Sequence, residues 1–382
     1  MSWLAEFSDL AQRTDRFTGK SNHLELLAAG LMGEAGSIVA ELKKSQREQR
    51  AYPAYRCKML EEIGDFLWYF VRLVSVVDSD LLANLETPCP DPVAWNVESL
   101  SCFLELGAGV GALLTAIGRG SAHQHPRDLR PFLRDVWNAF IRVSIATGTQ
   151  IRQAAENNLS KLESRWPSSR CYLGFFDGDY PEEEQLPRWL EVEFRERVVR
   201  KDKTVIVRCN GLNLGDRLTD NIADPDGYRY HDIFHLAHAT HLGWSPVIRA
   251  LLRCKRKSSP LTDEREDGAR AVILEEAIVA MVFSRAKQLE FFEEADHLDY
   301  ALLKTISELV QGYEVERAPL WQWEAAILDG YRVFRQLRCN DGGIAVLDLH
   351  QRELRYDPRP AGRPSRKSAS RRKAQPNALR DR

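Results

Sequence analysis

The chain has 382 residues, 44% of them apolar, with 53 Lys and Arg against 55 Asp and Glu and a net charge of −2. That length suffices for two or more domains with proper cores, and the composition is that of a globular protein. The seven cysteines (57, 89, 102, 171, 209, 254 and 339) are odd in number and form no Cys-x-x-Cys. This indicates neither a disulfide framework nor a thiolate zinc site and fits a reduced, cytoplasmic setting.

The N-terminal stretch MSWLAEFSDLAQRTDRF lacks a basic start followed by an apolar core, so it does not read as a signal peptide. Two acidic runs follow inside apolar, helix-periodic sequence: GLMGEAGS, containing Glu34, and EEIGDFLWYF, Glu61 to Phe70. Residues three or four apart share a helix face, so Glu62 and Asp65 point the same way, and Glu34 and Glu41, seven apart, also share one. Converging carboxylates repel one another unless a cation neutralises them. Oxygen ligands of this kind suit Mg2+ or Mn2+, which commonly also hold substrate phosphates. The longest apolar stretch, around Phe66, is interrupted by Arg72, so no bilayer-spanning segment and no membrane association are expected.

These words resemble the MazG family of all-α nucleoside triphosphate pyrophosphohydrolases, which carry Glu-x-x-Glu on one helix and Glu-x-x-Asp on the next. Glu34 matches the first Glu, and Glu62 and Asp65 match the second pair. Ser37 stands where the other Glu is expected, and a neutral serine is a poor Mg2+ ligand. The resemblance covers roughly residues 1–166. It implies Mg2+ (or Mn2+) held by Glu34, Glu62 and Asp65, with Glu41 assisting, a proton-accepting carboxylate at Glu61 or Glu41, and assembly as a homo-oligomer.

Residues 98–166 read as a worn second copy of the same unit. LELGAGVGALLTAI (Leu104 to Ile117) echoes the first acidic run, and FLRDVWNAFIRV (Phe132 to Val143) echoes the second, with Asp135 alone keeping the counterpart of Asp65. The copy closes on GTQIRQAAENNLSKLESRWP, similar to the family's last helix; Asn158, Lys161 and Arg165 occupy the places that contact nucleotide phosphates. The alternative is two amphipathic hairpins that merely look alike. The glycines at 107, 109 and 111 lack a following Gly-Lys-Ser/Thr, so no Walker-type phosphate loop is present.

Composition shifts after Pro167. Residues 168–187 are aromatic, acidic and turn-rich and read as a linker. Val192 to Phe194 and Thr204 to Val207 read as strands joined by a polar turn, and GGIAVLDLHQRELRYD as another strand or hairpin, with helical patterns between them. In GYRYHDIFHLAHATHLGW, His231, His235 and His238 fall at i, i+4 and i+7 beside Asp232, and Glu275 and Glu276 follow on an apolar helix. Histidines four apart with a carboxylate from another helix can bind a transition metal such as Zn2+, Mn2+ or Fe2+. His231, Asp232, His235, His238 and Glu276 are thus a possible second metal site. The alternative is a helix whose histidines bond carboxylates in a polar core. Arg253, Lys255, Arg256 and Lys257 are positioned to hold phosphates nearby or to be a solvated helix end. This half resembles a C-terminal domain found attached to MazG-like units.

From Pro358 onward there are nine Lys or Arg against one Asp, so the rest of the chain carries about ten net negative charges. A tail with so little to bury is expected to be disordered, and to contact nucleic acid or to serve only solubility. The expected architecture is therefore mainly α: an all-α bundle over 1–167, the linker, an α+β domain with a small antiparallel sheet over 188–357, and the basic tail 358–382. The expected activity is metal-dependent conversion of a nucleoside triphosphate to its monophosphate and pyrophosphate. The alternative is a catalytically weakened nucleotide sensor coupled to a C-terminal metal-dependent phosphohydrolase or effector domain.

Overall fold

The computed structural model describes residues 3–85, 100–119, 126–199 and 202–358, and the chain divides into two compact units, Met1–Ser168 and Ser169–Arg382. The basic tail from residue 359 onward, the turn residues 200 and 201, and the proline-rich end of the first hairpin at 86–92 lie outside the described residues.

The first unit is all helix: α1 (Trp3–Thr14), α2 (His23–Glu48), α3 (Tyr55–Ala83), α4 (Leu100–Gly118), α5 (Arg130–Ala146) and α6 (Ile151–Arg165). The helix α3 is buried on most of its circumference, because α1, α2, α5 and α6 all pack against it. An all-round apolar helix is stable only when so enclosed. Arg72, which interrupts its apolar run, is itself buried; its guanidinium lies 3.1 Å from Asp15, which also accepts from His23 at 2.9 Å and from the Phe17 N–H at 2.8 Å. Those partners hold the Asp15 carboxyl below its ordinary range although burial alone would raise it.

The two like hairpins, α2–α3 and α4–α5, meet through aromatic stacks: Phe66 on Phe140 with centroids 4.6 Å apart, and Phe70 on Trp137 at 5.3 Å. One expectation is corrected here. The helix α4 spans 19 residues with a mean hydropathy of 1.8, long and apolar enough to cross a membrane by length and composition. It nevertheless packs on α2 and α5, with Phe103, Leu106, Val110, Leu113 and Ile117 in the core and Glu105 paired to Arg142 at 2.8 Å.

The second unit combines a sheet with helices. Strands β1 (Trp189–Val199), β2 (Asp202–Cys209), β3 (Leu212–Asn213), β4 (Gly342–Asp348) and β5 (Glu353–Asp357) form one antiparallel sheet in the order β3-β2-β1-β4-β5. Period-two burial along β1, with Leu190, Val192 and Phe194 inward, sets the register against β2 and β4. The helices are α7 (Asp232–Leu242), α8 (Pro246–Leu252), α9 (Pro260–Arg265), α10 (Ala269–Ala286), α11 (Tyr300–Leu309) and α12 (Leu320–Cys339). Every residue of α7 is buried, which makes it the central helix of this unit.

The segment expected as a linker is built into the second unit. Asp177 is fully buried and accepts from the Leu186 N–H at 2.7 Å, from Arg188 at 2.5 Å and from Arg249 at 2.6 Å. A carboxylate removed from water requires such partners, and those partners tie down the chain that carries it.

Candidate metal centres

In the first unit, α2 supplies Glu34 and α3 supplies Glu62 and Asp65. One carboxylate oxygen from each lies within 4.8 Å of the other two. Two glycines permit this approach. A Cβ on Gly30 would run into the Tyr69 ring, and a Cβ on Gly64 would lie 2.5 Å from the Ala154 carbonyl and 3.0 Å from the Asn158 Cβ. The absence of a side chain at Gly64 thus lets α6 lie close against α3 beside Asp65. Asn158 donates from Nδ2 to Asp65 Oδ1 at 2.5 Å, and Lys161 bonds the same oxygen while lying 3.8 Å from Glu61.

The cluster carries more negative charge than its surroundings offset. Burial, together with the charges of Asp65 and Glu62, pushes the Glu34 carboxyl up to about 8. Burial also raises Asp65, against the pull of Lys161 and Asn158. All three donors are oxygens and their charges are in excess, so the set fits a hard divalent cation.

The remaining residues singled out in this unit have other contacts. Glu41, two turns along α2, is engaged by the Tyr52 hydroxyl and lies 4.0 Å from Lys44, outside the group of three. The Arg165 guanidinium sits 4.4 Å over the Trp166 ring. Ser37, one turn beyond Glu34, is half-buried. Of the aromatic side chains in this region, Phe7 and Trp68 are core residues.

In the second unit, His231 precedes α7, and Asp232, His235 and His238 follow on it. Two ligand-capable groups share His235: His231–Asp232–His235 and His235–His238–Glu275, each within 4.8 Å. Glu275 and Glu276 reach them from α10. Glu275 Oε1 lies 3.0 Å from both His235 Nδ1 and His238 Nδ1, and Glu275 Oε2 accepts from the Ser245 hydroxyl at 2.9 Å and the Val247 N–H at 3.0 Å. Glu276 Oε2 lies 3.4 Å from His235 Nε2.

Burial disfavours charge on all these groups, and their neighbours decide the outcome. Glu275 and Glu276 overcome burial and push His235 up to about 10, whereas burial prevails at His238 and His231 and lowers both. Burial would raise Glu275, yet the two imidazoles bring it down to about 2. Asp232 is raised by burial. The sequence pattern did not single out His241, whose Nε2 lies 2.9 Å from Asp329 Oδ2. It placed Glu275 on an apolar helix without marking it as the carboxylate shared by two histidines.

The basic run beyond α8 is resolved by burial. Arg256 is wholly enclosed, bonding Asp267 at 2.7 Å and Glu314 at 2.7 Å, so it is a structural cation. Arg253 is exposed, and Lys257 pairs with Asp263 at 3.5 Å.

The fold and these clusters define a two-unit protein, all-α then α+β, with side-chain groups in each unit able to hold a metal ion. Residues 172–360 match a protein-family model, the MazG C-terminal domain. The match takes in the whole histidine–carboxylate group and leaves the acidic cluster of the first unit outside it. No curated protein and no solved structure matches the chain.

Proposed function

We propose that the first unit is a MazG-like, Mg2+- or Mn2+-dependent hydrolase that converts nucleoside triphosphates to monophosphates and pyrophosphate. The observation that carries this reading is the convergence of Glu34, Glu62 and Asp65 within 4.8 Å, with the Glu34 carboxyl pushed up to about 8. So much negative charge on two helices is stable near neutral pH only with a proton or a cation among the oxygens. Bound there, the cation would neutralise phosphate oxygens and lower the pKa of an attacking water.

The chain's own groups supply the rest. Lys161 and Asn158 hold Asp65 in place and present positive and donor character toward a polyphosphate. Glu61, 3.8 Å from Lys161, is the carboxylate beside the cluster to accept a proton; Glu41 is occupied by Tyr52. The occurrence of a MazG C-terminal domain in the same chain supports the assignment.

A second reading, a nucleotide sensor with weakened turnover, draws on Ser37 in place of a ligand and on the Lys161 ammonium already paired with Asp65. The experiment that tests both is a nucleotide panel with purified protein and Mg2+ or Mn2+, reading pyrophosphate and orthophosphate separately. Pyrophosphate release that is lost in Glu62→Gln supports the hydrolase. Binding without turnover selects the sensor, and orthophosphate alone would sink the pyrophosphohydrolase assignment.

A further inference from the structure

We propose that the second unit holds one divalent transition-metal ion, of the zinc, manganese or iron(II) class, between His231, Asp232, His235 and Glu276. This site is separate from the acidic cluster and does not depend on nucleotide hydrolysis there.

The first argument is donor geometry. Ligand atoms of His231, Asp232 and His235 lie within 4.8 Å of one another, and Glu276 Oε2 lies 3.4 Å from His235 Nε2. The second is the orientation of the rings. His231 Nδ1 lies 2.9 Å from the Tyr228 carbonyl, which can only accept, so Nδ1 carries the proton and the Nε2 lone pair faces Asp232 Oδ1 at 3.4 Å. His235 Nδ1 faces Glu275, which Ser245 and the Val247 N–H anchor in turn. His231 therefore has its far nitrogen bonded to an acceptor, His235 has its far nitrogen 3.0 Å from Glu275, and each near nitrogen faces a carboxylate. Metal-ligating histidines are oriented in this way by an acceptor behind the ring.

The third argument is an orphan. The His235 side chain is completely buried, yet neither ring nitrogen makes a hydrogen bond, with the Glu275 and Glu276 oxygens 3.0 and 3.4 Å away. A buried polar atom left without a partner costs on the order of 1–3 kcal/mol. At Nε2, 3.4 Å from Glu276 Oε2, a bound cation would take the place of the ring proton and satisfy both atoms. Two imidazoles and two carboxylates suit a borderline metal and do not suit Ca2+ or Mg2+, which prefer all-oxygen sets. Glu276, its side chain 41% exposed, forms the entrance, and Tyr228, stacked on His231 at 4.5 Å, forms an aromatic wall.

The rival account is a metal-free ion pair, with His235 as an imidazolium between Glu275 and Glu276. Cobalt(II) separates the two, because nitrogen-coordinated Co2+ has visible absorption bands that an ion pair cannot produce. Full-length protein carrying Glu62→Gln and Asp65→Asn, stripped with chelator, is titrated with Co2+ and its bound metal is measured by mass spectrometry. One equivalent with visible bands is expected, and Glu276→Gln or His231→Gln added to that background should weaken binding at least tenfold. Glu276 is the most exposed donor, so its variant should keep the parent melting curve, which separates lost binding from lost folding. Absence of bound Co2+, or binding as tight in both added variants as in the background, overturns the proposal. Neither result bears on pyrophosphate release, so this site and the first unit's activity fail independently.

Discussion

The acidic cluster of the first unit and the paired carboxylates of the second treat negative charge in opposite ways. Around Asp177, two guanidinium groups and a backbone N–H meet one buried carboxylate and hold its pKa down, while Asp267, 3.7 Å from Arg249, completes the charge balance. Around Glu34, three carboxylates meet one ammonium and the pKa rises to about 8. The contrast separates two uses of buried charge. A network whose charges balance supports the fold, whereas a cluster left in excess needs something from outside the chain. Removing a carboxylate should therefore act with opposite sign in the two places.

The largest effect is expected at the balanced network. Asp177→Asn leaves Arg188 without its counter-charge and Arg249 with only Asp267 at 3.7 Å, and should destabilise the second unit by about 3–5 kcal/mol, read as a lower denaturant midpoint. The pH dependence has a definite sign. Asp177 sits below its ordinary 3.8 in the folded state, so its contribution is complete above that value and is lost as pH falls through the lower folded one. The variant should lose that part of the acid-unfolding limb.

Next comes the unbalanced cluster. Glu62→Gln should reduce pyrophosphate release about a hundredfold, roughly 2.7 kcal/mol of transition-state stabilisation, with an unchanged far-ultraviolet circular dichroism spectrum. A Glu62→Gln protein that releases pyrophosphate at the parent rate would break the comparison. Lys161→Met should act more weakly, raising the KM for nucleotide about tenfold, or roughly 1.4 kcal/mol.

The smallest effect has the most diagnostic sign. The folded pKa of Glu34 lies above its ordinary 4.5, so the folded first unit loses stability as pH rises from there toward 8. Solvent at this half-exposed side chain reduces the effect to roughly 1 kcal/mol. Glu34→Gln should therefore raise the melting midpoint of the first unit at pH 8 by about 2–4 °C without metal, and leave it nearly unchanged at pH 5. Mg2+ should stabilise the parent at pH 8 and the variant much less.

Much of this was legible in the sequence. Helical periodicity in the first half, alternation at Val192 to Phe194 and Thr204 to Val207, and the hairpin after Gly342 are local patterns, and the structure has a helical bundle followed by a five-stranded antiparallel sheet. The spacing of Glu62 and Asp65, and of His235 and His238 with His231 at the helix cap, is local and can be read from one segment. That α4 packs in a bundle despite its membrane-like composition could not be read so, because composition does not say what lies against a helix.

Tertiary structure alone decided the partners. Gly64 is an unremarked residue until α6 lies against it and brings Asn158 and Lys161 to Asp65, more than ninety positions away in the chain. The sequence set Glu275 on an apolar helix and Arg256 in a basic run, and only burial shows one shared by two histidines and the other enclosed by Asp267 and Glu314. The physical reason is common to these cases. Periodicity reports which face a side chain occupies, but the energy of a charge depends on the dielectric and the counter-charges around it, and those come from segments distant in sequence.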